Sequence, residues 1–141
     1  MKWLAWALVS LGLSVAASAP AMAQESQQRD RVELGQNYPN PFNPETPIPF
    51  GLPESLFSSG ERPVVSMRVY NVLAQLVAVP ILQGSGEPLE NLRIEWNGTG
   101  QYAAYWDGKV LNTGREAASG VYVYQLVVNG QRFTGKMTVV K

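Results

Sequence analysis

Asn129-Gly130, set between two apolar strands, constrains this chain more than any other pair of residues. A two-residue type I′ turn needs positive φ at both central positions, and Asn-Gly meets that need at little cost. The pair is therefore the strongest short-range hairpin signal a sequence can carry. The turn also fixes the register: 128 faces 131, 126 faces 133, 124 faces 135 and 122 faces 137. One face then carries Tyr122, Tyr124 and Leu126 against Phe133, Gly135, Met137 and Val139, and belongs in a core. The other carries Val121, Val123, Gln125 and Val127 against Arg132, Thr134, Lys136 and Thr138, and is half polar. Gly135 opposite Tyr124 leaves room for the aromatic ring to lie across the partner backbone.

Short apolar runs recur upstream between turn residues. Val65, Met67 and Val69 alternate with Ser66 and Arg68, and Leu76 to Val79 forms a second run. Leu92, Ile94 and Trp96 alternate with Arg93 and Glu95, and Tyr102 to Trp106 follows the Asn97-Gly98-Thr99-Gly100 turn. Regular short strands with Gly, Pro and Asn between them predict an all-β fold, a β-sandwich. No window of useful length holds a helical apolar period.

The segment before the strands is of a different kind. Residues 24–33 are polar. Then Asn37, Pro39, Asn40, Pro41, Phe42 and Pro44, followed by Pro47 and Pro49, dictate an extended, turn-rich strap, because each proline fixes φ and removes a backbone donor. Tyr38 and Phe42 are the expected anchors of this strap onto a core. The N-terminus has the pattern of a secretory signal: Lys2, an apolar run from Trp3 to Ala17, Pro20, then Ala21-Met22-Ala23. Cleavage is expected between Ala23 and Gln24. The apolar run is short against the roughly 20 residues of a membrane span, and nothing later in the chain is long enough. The expected organisation is a signal peptide at 1–23, a polar lead and proline-rich strap at 24–45, and the sandwich at 46–141.

Composition limits the chemistry. The chain has no cysteine and no histidine, so thiol nucleophiles, disulfides, thiolate metal sites and the commonest general base are all missing. Its aspartates are Asp30 and Asp107, and its nine glutamates share no motif. Any nucleophilic Ser or Thr would lack a base to activate it. The expectation is a non-enzyme with no cofactor, no metal and no small-molecule substrate. After signal cleavage the chain carries ten basic and eleven acidic residues, a balance that points to neither nucleic acid nor an anionic membrane surface.

Trp106-Asp107-Gly108, with Gly114 and Gly120 downstream, is a turn system. Asp107 can bond the backbone two residues on, and Gly108 can take positive φ. A calcium loop would need more converging oxygens than Asn112, Thr113 and Glu116 offer at this spacing. Alternation turns Trp96, Tyr102 and Trp106 inward and leaves Tyr105 outside, which favours core packing over a sugar-stacking row. Asn97-Gly98-Thr99 is a glycosylation sequon in form, placed in a turn.

Several blocks together resemble a known family. The string from Leu34 to Pro44, then Val69-Tyr70-Asn71-Val72-Leu73-Ala74-Gln75-Leu76-Val77, closely resembles the type IX (Por) secretion system C-terminal sorting domain, type A. So do Trp106-Asp107-Gly108, the block from Ala118 through Gly120 and Tyr122 to Leu126, and the segment from Lys136 to Lys141. The second half is also similar to the immunoglobulin-like domain of flagellar hook-capping proteins. The resemblance covers residues 34–141, with the blocks in family order.

It implies an immunoglobulin-like antiparallel sandwich of about seven strands. It also implies passage through the periplasm and across the outer membrane to the cell surface or medium. Ala74 stands where the family usually has glycine, so the turn after Tyr70 is either reshaped or strained by about 1 kcal/mol. The family's domain normally ends a long cargo protein, whereas here about ten residues separate the expected signal from the domain. The partner would be secretion machinery or an envelope protein. The expected recognition residues are Arg132, Thr134, Lys136, Thr138 and Lys141, on a final strand whose unpaired edge could add to a receptor's sheet. The competing expectation is a structural subunit of an extracellular or envelope assembly.

Overall fold

The alternation from Val64 to Tyr70 places Val65, Met67 and Val69 on one face, and all three are fully buried. The computed structural model, which describes residues 31–41 and 45–141, builds two antiparallel sheets around that face. The first sheet runs β1 (Glu33–Leu34), β2 (Thr46–Gly51), β7 (Gln101–Trp106), β5 (Ile81–Leu82) in spatial order. The second runs β4 (Leu76–Ala78), β3 (Val64–Tyr70), β8 (Gly120–Val128), β9 (Gln131–Val139), with β6 (Leu92–Arg93) also pairing β3. The chain is an all-β sandwich, as its strand spacing predicts. Its described residues form nine strands, of which β1, β5 and β6 are only two residues long.

The core is shared between the sheets. Ile48, Phe50, Ala104 and Trp106 come from the first, and Val65, Met67, Tyr124, Leu126 and Met137 from the second. Each of the larger side chains contributes about 1.5–3 kcal/mol by leaving water. Trp106 meets Tyr122 edge-on at 5.6 Å, joining the two layers. The segment Glu54–Gly60 begins as a 3-10 turn and breaks at Ser58 and Ser59, and its Phe57 tilts against Trp96 at 5.1 Å. The hairpin register follows the Asn-Gly turn: Val128 pairs Gln131, Leu126 pairs Phe133, Tyr124 pairs Gly135 and Tyr122 pairs Met137.

Four expectations need correction. Trp96 is 37% exposed rather than inward, because β6 stops at Arg93 and the alternation ends with buried Ile94. Tyr38 does not anchor the strap. Its backbone N–H bonds the Pro47 carbonyl and its ring stands 78% exposed, while buried Asn37 takes the inward position. Phe42 and the expected signal peptide lie outside the described residues. The strap also belongs to the sandwich rather than preceding it, since Glu33 and Leu34 pair with Gly51 and Phe50. Finally, β9 is an edge strand, but its edge is partly covered, as described below.

Candidate recognition surface

Residues 33–41 lie across the gap between two sheet edges. On one side, Glu33–Leu34 pairs β2, and the N–H groups of Gly35 and Tyr38 continue the contact to the carbonyls of Pro49 and Pro47. On the other, the Gln36 amide donates to the Lys136 carbonyl at 2.9 Å, and Asn40 Oδ1 accepts from the Thr138 N–H at 3.0 Å. Register explains why these β9 groups are free to bond outward. The residues flanking a two-residue turn bond each other, so 131, 133, 135, 137 and 139 face β8, and 132, 134, 136 and 138 face the edge. The strap takes the Lys136 carbonyl and the Thr138 N–H and leaves the backbone at Arg132 and Thr134 turned outward.

Asn37 is the knot of the strap. Its side-chain amide donates to the Pro39 carbonyl at 3.1 Å and to Thr46 Oγ1 at 3.2 Å, and its oxygen accepts from the Gln36 amide. Thr46, also buried, donates onward to main-chain oxygen. A buried amide is tolerable only with its bonds made, and here they are. Pro39 and Pro41 follow cis peptide bonds. The Tyr124 hydroxyl, crossing over Gly135, donates to the Gly35 carbonyl at 2.9 Å. Burial pushes the Tyr124 phenol up, and the bond from the Asn37 backbone N–H opposes that shift.

Of the expected recognition residues, Arg132, Thr134, Lys136 and Thr138 lie on β9 and Lys141 lies beyond its end. Arg132, Thr134 and Lys136 are exposed on the outer face of the second sheet, Thr138 is half-buried, and Lys141 is exposed with its N–H on Ser119 Oγ. On the inner face Met137 and Val139 are buried and Phe133 packs at the margin. One strand therefore shows cations and hydroxyls outward while its other side is locked in the core.

Asp107 Oδ1 accepts from the Lys109 N–H at 2.9 Å, Gly108 takes φ 78°, and the Trp106 indole donates to the Lys109 carbonyl at 3.0 Å. Gly120 has φ 152°, and two residues on the Tyr122 hydroxyl ties back to the Ala118 carbonyl at 2.7 Å. The Asn97 side chain bonds the backbone of Thr99, Gly100 and Gln101, holding the turn in which it sits. Tyr102 stacks on Phe50 and its hydroxyl donates to the Glu95 carbonyl at 2.7 Å. Tyr105 donates to the Glu45 carboxylate. That bond, then burial, then nearby negative charge push its phenol up to about 12.

Asn129 and Gly130 have φ 48° and 85°, the mirror turn expected of them. Asn129 has a second role that the sequence reading missed. It exchanges bonds with Val64, N–H to carbonyl and Oδ1 to N–H, both at 2.9 Å, and so stitches the hairpin tip to β3. A polar residue at a turn carries no sign of a partner 65 positions away.

Among the described residues, no group of three or more acidic, histidine or cysteine side chains could hold a metal ion. Nor is any helix among them long and apolar enough to cross a membrane. An open cleft of about 300 Å³ lies between Pro80–Ile81 and Trp106–Leu111, lined mainly by apolar groups with Asp107 and Lys109 at its rim.

No family model matches the chain, and no curated protein matches it. Among solved structures it is similar to the Pseudomonas fluorescens alkylpurine DNA glycosylase AlkC bound to DNA containing an abasic site analog. That alignment has 16% identity and a TM-score of 0.38, over 78% of this chain and 30% of the glycosylase. The likeness is too loose to carry fold or chemistry across.

Proposed function

We propose that this chain is a non-catalytic sorting-type domain that directs passage through the periplasm and across the outer membrane by the type IX route. It would end at the cell surface or in the medium. The observation that supports this reading is the division of labour on β9. A receptor that serves unrelated cargo needs a local, exposed and rigidly held signal. Arg132, Thr134 and Lys136 form such a row, backed by a strand whose inner side is fixed in the core. The strap motif that carries the family resemblance is what clamps this same strand.

The test is the double variant Lys136→Ala/Lys141→Ala. Both side chains are exposed, so the melting curve should move by less than about 0.5 kcal/mol. Expressed in a host with the secretion system, the variant should accumulate in the periplasm. A double variant that reaches the surface as efficiently as wild type overturns the assignment of these lysines.

A second reading, a structural subunit of an envelope assembly, draws on the β3–β4 turn. There Val72 and Leu73 stand 75% and 74% exposed at a tip held rigid by the Asn71 side chain. A stoichiometric envelope partner crosslinked at Leu73 would favour it, and copurifying translocon components would favour sorting.

A further inference from the structure

The outer face of the second sheet can be mapped row by row, because cross-strand partners share a face. One row runs Tyr70, Val123, Lys136. The next runs Arg68, Gln125, Thr134, and the one after it Ser66, Val127, Arg132. Ser66 is covered by the Asn91 loop, whose N–H it accepts at 2.8 Å, and the other rows are open or half-open. Val121 is 45% exposed, and Tyr70 and Val123 are half-buried beside it.

Charge on this face has one sign. Arg68 lies on the β3 side of the apolar stripe, with Arg132 and Lys136 on the β9 side, and β3, β8 and β9 contain no carboxylate. Yet the whole chain is neutral, with eleven acidic residues against eleven basic. None of the described acidic residues lies on these three strands. Along β8 the apolar residues Val121 and Val123 stand about 7 Å apart at strand spacing, with Gln125 next on the same face.

We infer that this face docks a protein segment whose apolar side is flanked by carboxylates. The inference rests on the reading that the terminal hairpin is a recognition element, and it names the chemistry of what is recognised. Apolar side chains on the partner would cover Tyr70, Val121 and Val123, and acidic groups on its flanks would meet Arg68, Arg132 and Lys136. A second copy of the chain meeting it through this same face does not fit. A twofold contact through this face would oppose cations with cations and supply no carboxylate.

The experiment uses the purified full chain and three synthetic probes. The first is a helical peptide of about four turns with a Leu stripe flanked by Glu. The second has Lys in place of each Glu, and the third is polyglutamate of the same length. The Glu-flanked peptide should bind about tenfold tighter than either other probe, with affinity falling as salt rises. It should shift the amide resonances of residues 121–127 and 132–136. Arg68→Gln and Lys136→Gln should each weaken binding about threefold. If Arg68→Gln lowers the melting temperature, exposed Lys136→Gln carries the comparison alone.

Equal binding of the Lys-flanked peptide, equal binding of polyglutamate, or no binding overturns the inference. The two failures are distinguishable. If the sorting reading is wrong, export ignores Lys136 and Lys141 while the Glu-flanked peptide still binds. If this inference is wrong, the peptide fails while export still depends on the lysines.

Discussion

The Tyr124 hydroxyl reaches over Gly135 to bond the Gly35 carbonyl, a contact between residues 89 positions apart. A Cβ at Gly135 would sit 2.3 Å from the Tyr124 ring, so the glycine is what lets the ring cross. Tyr124→Phe keeps the ring and removes the tether, and should cost about 1–2 kcal/mol. Gly135→Ala forces the ring aside and should cost about 2–3 kcal/mol. Urea midpoints of the two variants give the comparison, and an Ala variant as stable as wild type would refute the crossing.

Removing the strap should weaken the fold substantially, contrary to the expectation that 46–141 is the complete unit. The strap makes backbone bonds to β2 at Gly35 and Tyr38, side-chain bonds to β9 at Gln36 and Asn40, and the Tyr124 tether. At about 1 kcal/mol net for each bond, a fragment 46–141 should be about 4–5 kcal/mol less stable than 31–141. Denaturant melts of both fragments measure the difference.

Ala74 resolves the alternative left open at its turn: the backbone keeps a left-handed conformation at φ 59° rather than being reshaped. An alanine pays a steric penalty there that glycine avoids. Ala74→Gly should therefore stabilise the protein by about 0.5–1 kcal/mol, even though glycine usually loosens a chain. Thermal unfolding of the variant should show a raised midpoint.

Alkaline pH should destabilise the fold through its tyrosines. Burial raises the phenols of Tyr102, Tyr122 and Tyr124, and the Glu45 bond raises Tyr105 from the ordinary 10.0 to about 12. A raised folded pKa means stability that is complete below the unfolded value and lost as pH climbs through the folded one. Stability should hold below pH 10, and for Tyr105 the loss falls between about 10 and 12. In an absorbance titration, Tyr105→Phe should remove the last phenol to ionise.

What the sequence made legible was local. The Asn129-Gly130 turn set nine consecutive cross-strand pairs, and the Asp107-Gly108 turn could be read from its own residues. What it hid depended on distance. That Asn37 rather than Tyr38 turns inward follows from bonds to Thr46 and the Pro39 carbonyl, which only the folded strap brings together. Alternation misplaced Trp96 because periodicity carries no mark of where a strand stops. The edge row of β9 was identifiable from register, but its cover, Gln36 and Asn40, lies about a hundred residues away.

That separation bears on the order of events when the chain is delivered from its N-terminus. Gln36 finds the Lys136 carbonyl and Asn40 finds the Thr138 N–H only once the final strand exists. Contacts of such long sequence range raise the contact order and slow folding, because the loop must close before the contact repays it. Until residues 131–139 arrive, the early part of the domain has no edge to clasp. Built from its N-terminus, the domain can fasten its strap only after its last strand has been made.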